Sequence, residues 1–299
     1  MKKNIETVTK LRTGDEVVVI TGKDIGKKGT LAKISKFNNK AVVNGINMVK
    51  KHTKPNQLNW DLWLGTAPTR PYAPEIYHPS KWRAWQDFGT GWSGDIGCHV
   101  FDATWKALDL TAPKTIHARV QDSWKNSKPR RGDTWAQSDH ITWTFPGNSL
   151  TEKDEITIEW FDGLFYPPEE AQKWYHGDKY PPESALIVGT EGAVLIPNGG
   201  GAMLLPRDKY KGTIKPELDP RNHYHHFLDA ILGKTKNESY FEQTGPMTEA
   251  ILLGTVAIRN PDQKLQWDAK NLAIKNNPTA NKLIKRTYRE GWEVEGFSA

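Results

Sequence analysis

The residues best suited to chemistry are an aspartate and a histidine four positions apart, Asp95 and His99, in the stretch GDIGCHVFD. On a helix they share one face, because side chains at i and i+4 are neighbours. A carboxylate beside an imidazole orients the ring and raises its pKa, which suits general acid–base chemistry. The spacing alone favours a simpler interpretation, in which Asp95 caps the helix and His99 packs against a neighbouring element.

The histidines of a later segment do not predict a metal site. His223, His225 and His226 lie close together, but the spacing i, i+2, i+3 does not direct three imidazoles at one ion, and no cysteine or carboxylate partner is evident. We interpret them as surface or packing residues. Cys98 is the single cysteine and cannot form an internal disulfide, which favours a reducing compartment.

A second set of residues suits binding rather than catalysis. Lysines on the loops of a small rigid domain can neutralise phosphates, and each contact releases a counterion, so that binding weakens with salt. Gly22, Gly26 and Gly29 would let the backbone come close to another chain. The alternative is a solvated lysine-rich surface. The predicted RNA-binding residues are Lys23, Lys27, Lys28, Lys50, Lys51, His52 and Lys54.

Short strands separated by glycine-bearing turns would carry these lysines. The β-branched run at residues 17–20 is followed by turns at Gly22 and Gly26, a pattern typical of a small antiparallel barrel. Such a barrel has almost no room for a pocket, so we expect it to act through its surface. The predicted strands are residues 17–20, 30–35, 41–43 and 46–49.

Asp95 and His99 belong to a longer pattern that is typical of an α+β domain. Apolar residues recur at helical spacing after the turn GTGWSG, which predicts a helix from near Ser93 to Leu110. Later helices are predicted where proline suits the first helical position, at residues 220–232, 246–258 and 278–290. We expect a largely antiparallel sheet with helices on one side, its strands at residues 115–120, 140–145, 155–161, 185–189 and 193–197.

Charge and aromatic content divide the chain into two modules. Residues 1–57 hold 13 Lys and Arg against 4 Asp and Glu and no Trp, whereas residues 58–299 hold 28 against 31 and all 13 Trp. A shift this abrupt, at a joint rich in Lys, Pro and Asn, is what two unrelated modules joined end to end would leave. We therefore predict a basic domain at residues 1–57 and a slightly acidic domain at residues 58–299.

The sequence predicts neither a secretion signal nor a membrane span. The first twenty residues contain an apolar run of only four residues, which is too short for a signal-peptide core. No window approaches the roughly 18 apolar residues that a membrane span needs. We expect a soluble, cytoplasmic protein without a membrane partner.

The N-terminal module closely resembles a KOW motif of the kind carried by a family of bacterial large-subunit ribosomal proteins, protein twenty-four. The resemblance rests on GDEVVVITGKDIGKKG, residues 14–29, and VVNGINMVKKHTKP, residues 42–55. It implies an SH3-like barrel that binds 23S rRNA in the large ribosomal subunit, with residues 22–29 and 47–54 facing the RNA. Nothing after Gln57 resembles the second segment of that family.

The C-terminal module, residues 58 to about 295, resembles the C-terminal half of the Gfo/Idh/MocA oxidoreductases. The matching motifs include WDLWLGTAPTRPY, YHPSKWRAWQDFGTGWSGDIGCHVFD and GPMTEAILLGTVAIR. The resemblance implies that Asp95 and His99 match the family's Asp-x-x-x-His pair, in which His99 would accept a proton from a substrate hydroxyl. A sugar or polyol would then be faced by Tyr77, Arg83, Trp85 and Asp87. A core role for the tryptophans is an equal alternative.

Two parts of that family are not found in this sequence. They are a glycine-rich phosphate turn that opens a helix and a Glu-Lys-Pro motif with the catalytic lysine. The NGGG stretch at residues 198–201 leads into AMLLP, which is not a helix start. We therefore predict no cofactor; NAD or NADP would be used only if another chain supplied a Rossmann domain. A sheet edge left uncovered in the C-terminal domain could allow self-association.

Three functions follow from these observations. The favoured one is an rRNA-binding ribosomal protein of the KOW type with a second domain attached, because a complete binding module survives truncation better than half of a two-domain catalyst. The second is a Gfo/Idh/MocA-type oxidoreductase of sugars or polyols working as a partial subunit; we expect the chain alone not to be an enzyme. The third is an interaction protein, or an accidental join of two gene fragments.

Overall fold

The structure, a computed structural model, describes residues 11–22, 24–35, 40–46, 58–77, 80–175, 180–213 and 221–295. The chain divides into two compact units, Met1–Leu58 and Asn59–Ala299. We call them the N-terminal unit and the C-terminal unit and describe each by itself. Antiparallel sheets and helices occur together, which confirms the predicted mixed α and β composition.

The N-terminal unit contains a three-stranded antiparallel sheet. Its strands, which follow one another in the sheet, are β1 (Glu16–Val18), β2 (Lys28–Ser35) and β3 (Lys40–Val43). Glycine is required at position 29 in β2, because a Cβ atom there would lie 2.4 Å from the carbonyl oxygen of Asn44. Leu31 is buried, with 2% of its surface exposed. Three of the four predicted strands are therefore present.

The described part of the N-terminal unit does not close into a barrel. The predicted fourth strand, residues 46–49, falls mostly outside the described residues, and Ile46 lies in a bend. A small antiparallel β module is confirmed. The SH3-like barrel stays a prediction.

The C-terminal unit is built on a five-stranded antiparallel sheet in the order β11-β10-β4-β5-β6, and a separate three-stranded sheet in the order β7-β8-β9. In β5, Ile141, Trp143 and Phe145 are buried and alternate with partly exposed residues, the period-two pattern of a strand with one covered face. The strands are β4 (Thr115–Val120), β5 (Asp139–Pro146), β6 (Glu155–Phe161), β7 (Ser184–Val188), β8 (Ala193–Pro197), β9 (Met203–Leu205), β10 (Leu265–Asp268) and β11 (Ala273–Ile274).

Two long helices position the candidate site against the five-stranded sheet. The helix that lies on the sheet approaches it closely, because Gly254 faces Trp143 where a Cβ atom would come within 2.6 Å of the ring. The indole nitrogen of Trp143 donates to the carbonyl oxygen of Ala250 at 2.8 Å. The second long helix packs on the first through Gly97 and Ile251 and lies close to β7 and β8 as well; its remaining, outward face includes the exposed Cys98 and His99. The helices are α1 (Trp60–Leu64), α2 (Gly91–Ala107), α3 (Asp122–Lys125), α4 (Lys128–Asp133), α5 (Glu169–Gln172), α6 (His223–Ile231), α7 (Phe241–Arg259) and α8 (Pro278–Asn281).

The start of α7 differs from the prediction. Pro246 was expected to open this helix, but α7 begins five residues earlier, at Phe241, and contains Pro246 in its interior. The first turn is held by a tertiary contact, because the side-chain nitrogen of Gln243 donates to Asp102 on α2 at 3.0 Å. The missing N–H of the proline costs one helical hydrogen bond, and this contact helps to offset that loss.

The last helix is also shorter than predicted. Asn277 caps α8 by accepting from the backbone N–H of Ala280 at 2.9 Å, but the helix ends at Asn281 rather than near residue 290. Beyond it, Arg286 and Arg289 bind backbone oxygens of Asp87 and Asp61. These long-range contacts need an extended chain, which overrides the local helical pattern. Helix α6 begins at His223, with Asn222 as its N-cap, rather than at residue 220, which lies outside the described residues. This start is set by the Asn222 side chain, which accepts from the first N–H groups of the helix; the C-terminal end of α6 agrees with the prediction to within one residue.

Candidate functional site

The outward face of α2 carries the predicted pair. Asp95 lies on the second turn and is the fifth residue of α2, whose N-cap is Thr90, so Asp95 does not cap the helix. His99 lies one turn further along on the same face and is exposed, so it does not pack in the core. The simpler interpretation of the spacing therefore does not describe either residue.

Asp95 is bound by an arginine from outside the helix. The Nε atom of Arg83 donates to Oδ2 of Asp95 at 2.6 Å, and Arg83 comes from a 3-10 helix, Lys81–Ala84, just before α2. The guanidinium also stacks over the ring of Trp82, 4.4 Å from its centroid. Among the described residues, the side chain of Asp95 pairs with Arg83 rather than with His99. The imidazole of His99 is thus left facing solvent.

The other predicted substrate-facing residues belong to an aromatic cluster. Tyr77 is only 9% exposed, and its ring lies 4.9 Å from Trp85 and 5.4 Å from Phe88. The indole nitrogen of Trp85 donates to the carbonyl oxygen of Ile76 at 3.2 Å. These contacts fix the irregular segment after α1, and they leave Tyr77 little surface to offer a ligand.

Asp87 is held between two arginines. Its carboxylate forms an ion pair with Arg70, and Arg286 donates to its backbone oxygen at 2.6 Å. Burial alone would lower the pKa of Arg70, but the hydrogen bonds that Arg70 donates to Tyr77 and Asp133 and the charge of Asp87 outweigh it, so the pKa is raised. Of the four predicted substrate-facing residues, the structure brings only Arg83 into contact with Asp95.

Part of the predicted RNA-binding loop is described in the N-terminal unit. Lys27 and Lys28 are exposed, and the Nζ atom of Lys27 pairs with Asp24 at 2.6 Å. The loop is closed by hydrogen bonds from Gly26 N–H to the oxygen of Val19 and from Val19 N–H to that of Lys27. Gly26 has a φ of 81°, which side-chain-bearing residues rarely adopt. The predicted residues that lie outside the described ones are Lys23, Lys50, Lys51, His52 and Lys54.

Comparison with known proteins gives matches to two families. The family model for the C-terminal alpha/beta domain of the oxidoreductase family matches residues 17–166, which make up half of the chain. The large ribosomal subunit protein uL24 of Rickettsia akari is 58% identical over 50 residues, which are 17% of this chain and 46% of that protein. The uL24 protein of Hydrogenovibrio crunogenus is 34% identical over 105 residues, 34% of this chain and 99% of that protein.

The chain belongs to both the oxidoreductase family and the uL24 family.

The residue ranges of these two matches differ from the ranges that the sequence motifs indicated. The oxidoreductase-family match begins within the N-terminal unit and ends at residue 166, whereas the motifs suggested residues 58 to about 295. The match to the Hydrogenovibrio uL24 protein is longer than the N-terminal unit, so it continues past Gln57, further than the motifs indicate. The chain spans 46% of the length of the Rickettsia akari uL24 protein.

The glycine-rich stretch at residues 198–201 does not form a dinucleotide-binding turn. The glycine-rich stretch after β8 leads into strand β9, Met203–Leu205, and not into a helix. A phosphate turn needs a strand, a glycine-rich turn and the N-terminus of a helix in succession.

In the described part of the chain, no group of three or more His, Cys, Asp or Glu side chains could hold a metal ion. Among these residues, no helix is long and apolar enough to cross a membrane.

Sequence reasoning missed two features of this domain. Trp92 is 46% exposed and precedes Asp95 by three residues, a helical spacing that could have placed it on the same face. Asp139, at the start of β5, is 2% exposed, and its N–H donates to Oδ1 of Asp162 at 2.7 Å. Burial, with the charge of Asp162 added, raises the pKa of Asp139 well above its usual value. No sequence pattern signals this pair.

Proposed function

We propose that the N-terminal unit binds rRNA of the large ribosomal subunit, so that the chain acts with cytoplasmic ribosomes. The observation that carries this proposal is the 58% identity to uL24 over 50 residues. The exposed Lys27 and Lys28 on a hydrogen-bonded loop support it. The closed SH3-like barrel expected of a KOW motif is part of the same proposal.

The loop supplies the chemistry that phosphate contact needs. Lys27 on the loop and Lys28 at the start of β2, with Gly22 and Gly26 in left-handed conformations, bring positive charge and glycine backbone without side chains to one surface. Each lysine that contacts a phosphate releases about 0.7–0.9 counterions, so the logarithm of the binding constant falls by that amount for each tenfold increase in salt concentration. The loop holds few aromatic residues to stack on bases, which favours contact with a structured RNA backbone.

Binding to a 23S rRNA fragment as a function of salt tests this proposal. The variant Lys27→Ala/Lys28→Ala is expected to weaken binding and to reduce the salt slope by roughly 1.4–1.8. The matched control is Lys153→Ala/Lys264→Ala, which removes the same charge from exposed positions of the C-terminal unit. Equal slopes for the wild type and the loop variant, or equal loss in both variants, would contradict the proposal.

A second function is favoured by the outward face of α2. We infer that the oxidoreductase-family domain binds a sugar or polyol, with His99 accepting a proton from a substrate hydroxyl. The imidazole of His99 is exposed and can accept this proton. The ion pair between Arg83 and Asp95 places fixed polar groups on the same helix face beside the imidazole. Hydride transfer would need a nucleotide-binding domain from another chain.

Turnover assays separate this function from the first. The full chain is incubated with NAD or NADP and a panel of sugars and polyols. If it turns over, His99→Ala is expected to lower kcat by about 10²–10⁴ with little change in KM, whereas Cys98→Ala, at the exposed neighbouring position, keeps full activity. Because hydride transfer needs a domain from another chain, calorimetric titration of the full chain with the same panel tests binding directly, and absence of binding with every sugar and polyol would contradict the proposal.

A further inference from the structure

The sequence contains two Asn-Gly pairs, and both lie in turns of the same geometry. They are Asn44-Gly45 and Asn198-Gly199. In each turn the N–H of the fourth residue donates to the carbonyl oxygen of the first at 3.3 Å, and the glycine, the third residue, has a φ of 75°. A positive φ at the third residue alone defines a type II turn. Both asparagines are exposed. We call residues 43–46 the Asn44 turn and residues 197–200 the Asn198 turn.

An exposed Asn-Gly pair can undergo ring closure between its side chain and its main chain. The backbone nitrogen of the glycine loses its proton and attacks Cγ of the asparagine, and ammonia leaves as a cyclic imide forms. Water then opens the imide at either carbonyl group, which gives aspartate or isoaspartate. Glycine has no side chain to shield its nitrogen. Among the described residues, neither Gly45 nor Gly199 donates its N–H to a hydrogen bond, so both nitrogens are available for the attack.

The two asparagine side chains differ in what holds them. Nδ2 of Asn198 donates to the carboxylate of Glu183 at 2.8 Å, and the backbone N–H of Asn198 donates to the carbonyl oxygen of Glu183 at 2.7 Å. Ring closure at Asn198 must break the side-chain hydrogen bond, and the carboxylate disfavours a negative charge on the attacking nitrogen. Within the part of the chain that the structure describes, the side chain of Asn44 has no hydrogen-bond partner. Asn44 also lies within residues 1–57, whose surplus of nine positive charges favours the attacking anion.

We propose that Asn44 is a site of spontaneous deamidation, converted to isoaspartate and aspartate, whereas Glu183 protects Asn198 from the same reaction. Isoaspartate adds a negative charge and inserts a methylene group into the main chain. The backbone of Asn44 is tightly placed, because its N–H donates to the carbonyl oxygen of Thr30 at 2.9 Å and its own carbonyl oxygen lies 2.4 Å from the position of a Cβ atom on Gly29. The inserted methylene displaces these contacts next to Lys28, so the modification alters the predicted RNA-binding surface.

Timed incubation of the full chain at mildly alkaline pH, followed by tryptic digestion and mass spectrometry, tests the site. Trypsin releases the two turns in separate peptides, residues 41–50 and 180–207, and electron-transfer fragmentation distinguishes isoaspartate from aspartate. We expect Asn44 to convert roughly tenfold or more faster than Asn198, the factor that a hydrogen bond to a charged group supplies. In urea, which removes both turns, the two rates should approach each other. Equal rates in the folded protein, or faster conversion at Asn198, overturn the proposal.

A variant of the C-terminal unit tests the cause of the difference. Glu183→Ala removes the acceptor of the Asn198 side chain and is expected to bring the Asn198 rate close to that of Asn44. The control Glu152→Ala removes the same charge from another exposed position and should leave both rates unchanged. An Asn198 rate that does not rise in Glu183→Ala contradicts protection by Glu183.

The effect on RNA rests on the proposed function and is measured separately. Because the new carboxylate offsets one lysine, the salt slope for a 23S rRNA fragment is expected to fall by roughly 0.7–0.9 in the aged protein. Asn44→Gln closes the ring far more slowly and should keep its slope through the same incubation. An equal fall in both proteins contradicts a role of Asn44. If fresh protein does not bind the fragment, the proposed function fails, and the mass measurement still decides the modification.

Discussion

Asp95 illustrates how a tertiary partner can replace one that sequence spacing suggests. Its neighbour at i+4 is His99, but its carboxylate receives a hydrogen bond at 2.6 Å from Arg83. A planar guanidinium offers several donors in a fixed fork, which suits a carboxylate better than a single imidazole N–H does. The side chains of this ion pair are partly exposed, 42% for Arg83 and 22% for Asp95, so its main effect is on geometry rather than on stability.

Asp139 provides a test of buried charge. Because its pKa is raised in the folded state, the folded protein holds the proton more tightly than the unfolded chain does. The stability from neutral Asp139 is therefore fully present below the unfolded pKa and is lost as pH rises through the folded pKa. Asn mimics the neutral acid at every pH. We expect Asp139→Asn to raise the melting temperature by roughly a few degrees near neutral pH, with the gain shrinking in acid.

Thermal melts across acidic to neutral pH check this prediction. Asp154→Asn, at an exposed position, serves as the control and should change the melting temperature little at any pH. A gain from Asp139→Asn that does not depend on pH would contradict a raised pKa. Asp162 faces Asp139, so the two carboxyl groups titrate together, and the melts report on the pair.

At the scale of elements, the segment after α8 holds α1 in place. Arg289 donates from Nε to the oxygen of Gly65 at 2.7 Å and from Nη2 to that of Asp61 at 2.9 Å, and it pairs with the Asp61 carboxylate at 2.6 Å. The end of a helix leaves carbonyl oxygens such as that of Gly65 without helical partners, while the Asp61 oxygen also accepts from the N–H of Gly65. Arg289 thus caps α1 from more than two hundred residues away in sequence.

Replacing Arg289 should loosen this attachment. Arg289→Ala removes the donor to the Gly65 oxygen and the partner of the Asp61 carboxylate, and we expect a loss of about 1–3 kcal/mol in the free energy of unfolding. Chemical denaturation of the C-terminal unit in the full chain measures it. Lys285→Ala, at an exposed position in the same segment, should be nearly neutral. A comparable loss in both variants would show that the segment as a whole, rather than Arg289, matters.

The sequence predicts some elements better than others, because the bounds of some depend on neighbouring residues and the bounds of others depend on contacts with distant parts of the chain. Strands β4, β6 and β8 match their predicted bounds, because alternation along a strand is a local property. The start of α7 and the end of α8 could not be predicted, since the Gln243–Asp102 and Arg289–Asp61 contacts set them from distant parts of the chain. In the site, a shared face for Asp95 and His99 follows from periodicity, whereas the partnership of Asp95 with Arg83 depends on a 3-10 helix that no pattern signals.

At the scale of the whole molecule, the two units carry opposite charge. The first 57 residues have a surplus of nine positive charges, and the remainder has a surplus of three negative charges. Polyanions are attracted by the first and repelled by the second. If the chain contacts rRNA as proposed, ultraviolet cross-links located by mass spectrometry should fall in the N-terminal unit. Cross-links concentrated among the aromatic residues near α1 would instead indicate stacking by the C-terminal unit and would contradict the charge argument.

The uneven placement of the aromatic residues has an optical consequence. All 13 Trp and all 9 Tyr lie beyond Leu58, and Phe37 is the one aromatic side chain before it. Intrinsic fluorescence of Trp and Tyr therefore arises from the C-terminal unit alone, and the unit that carries the lysine loop contributes none. An N-terminal unit that unfolded would contain no indole to report the change, so its integrity has to be followed with methyl or amide resonances.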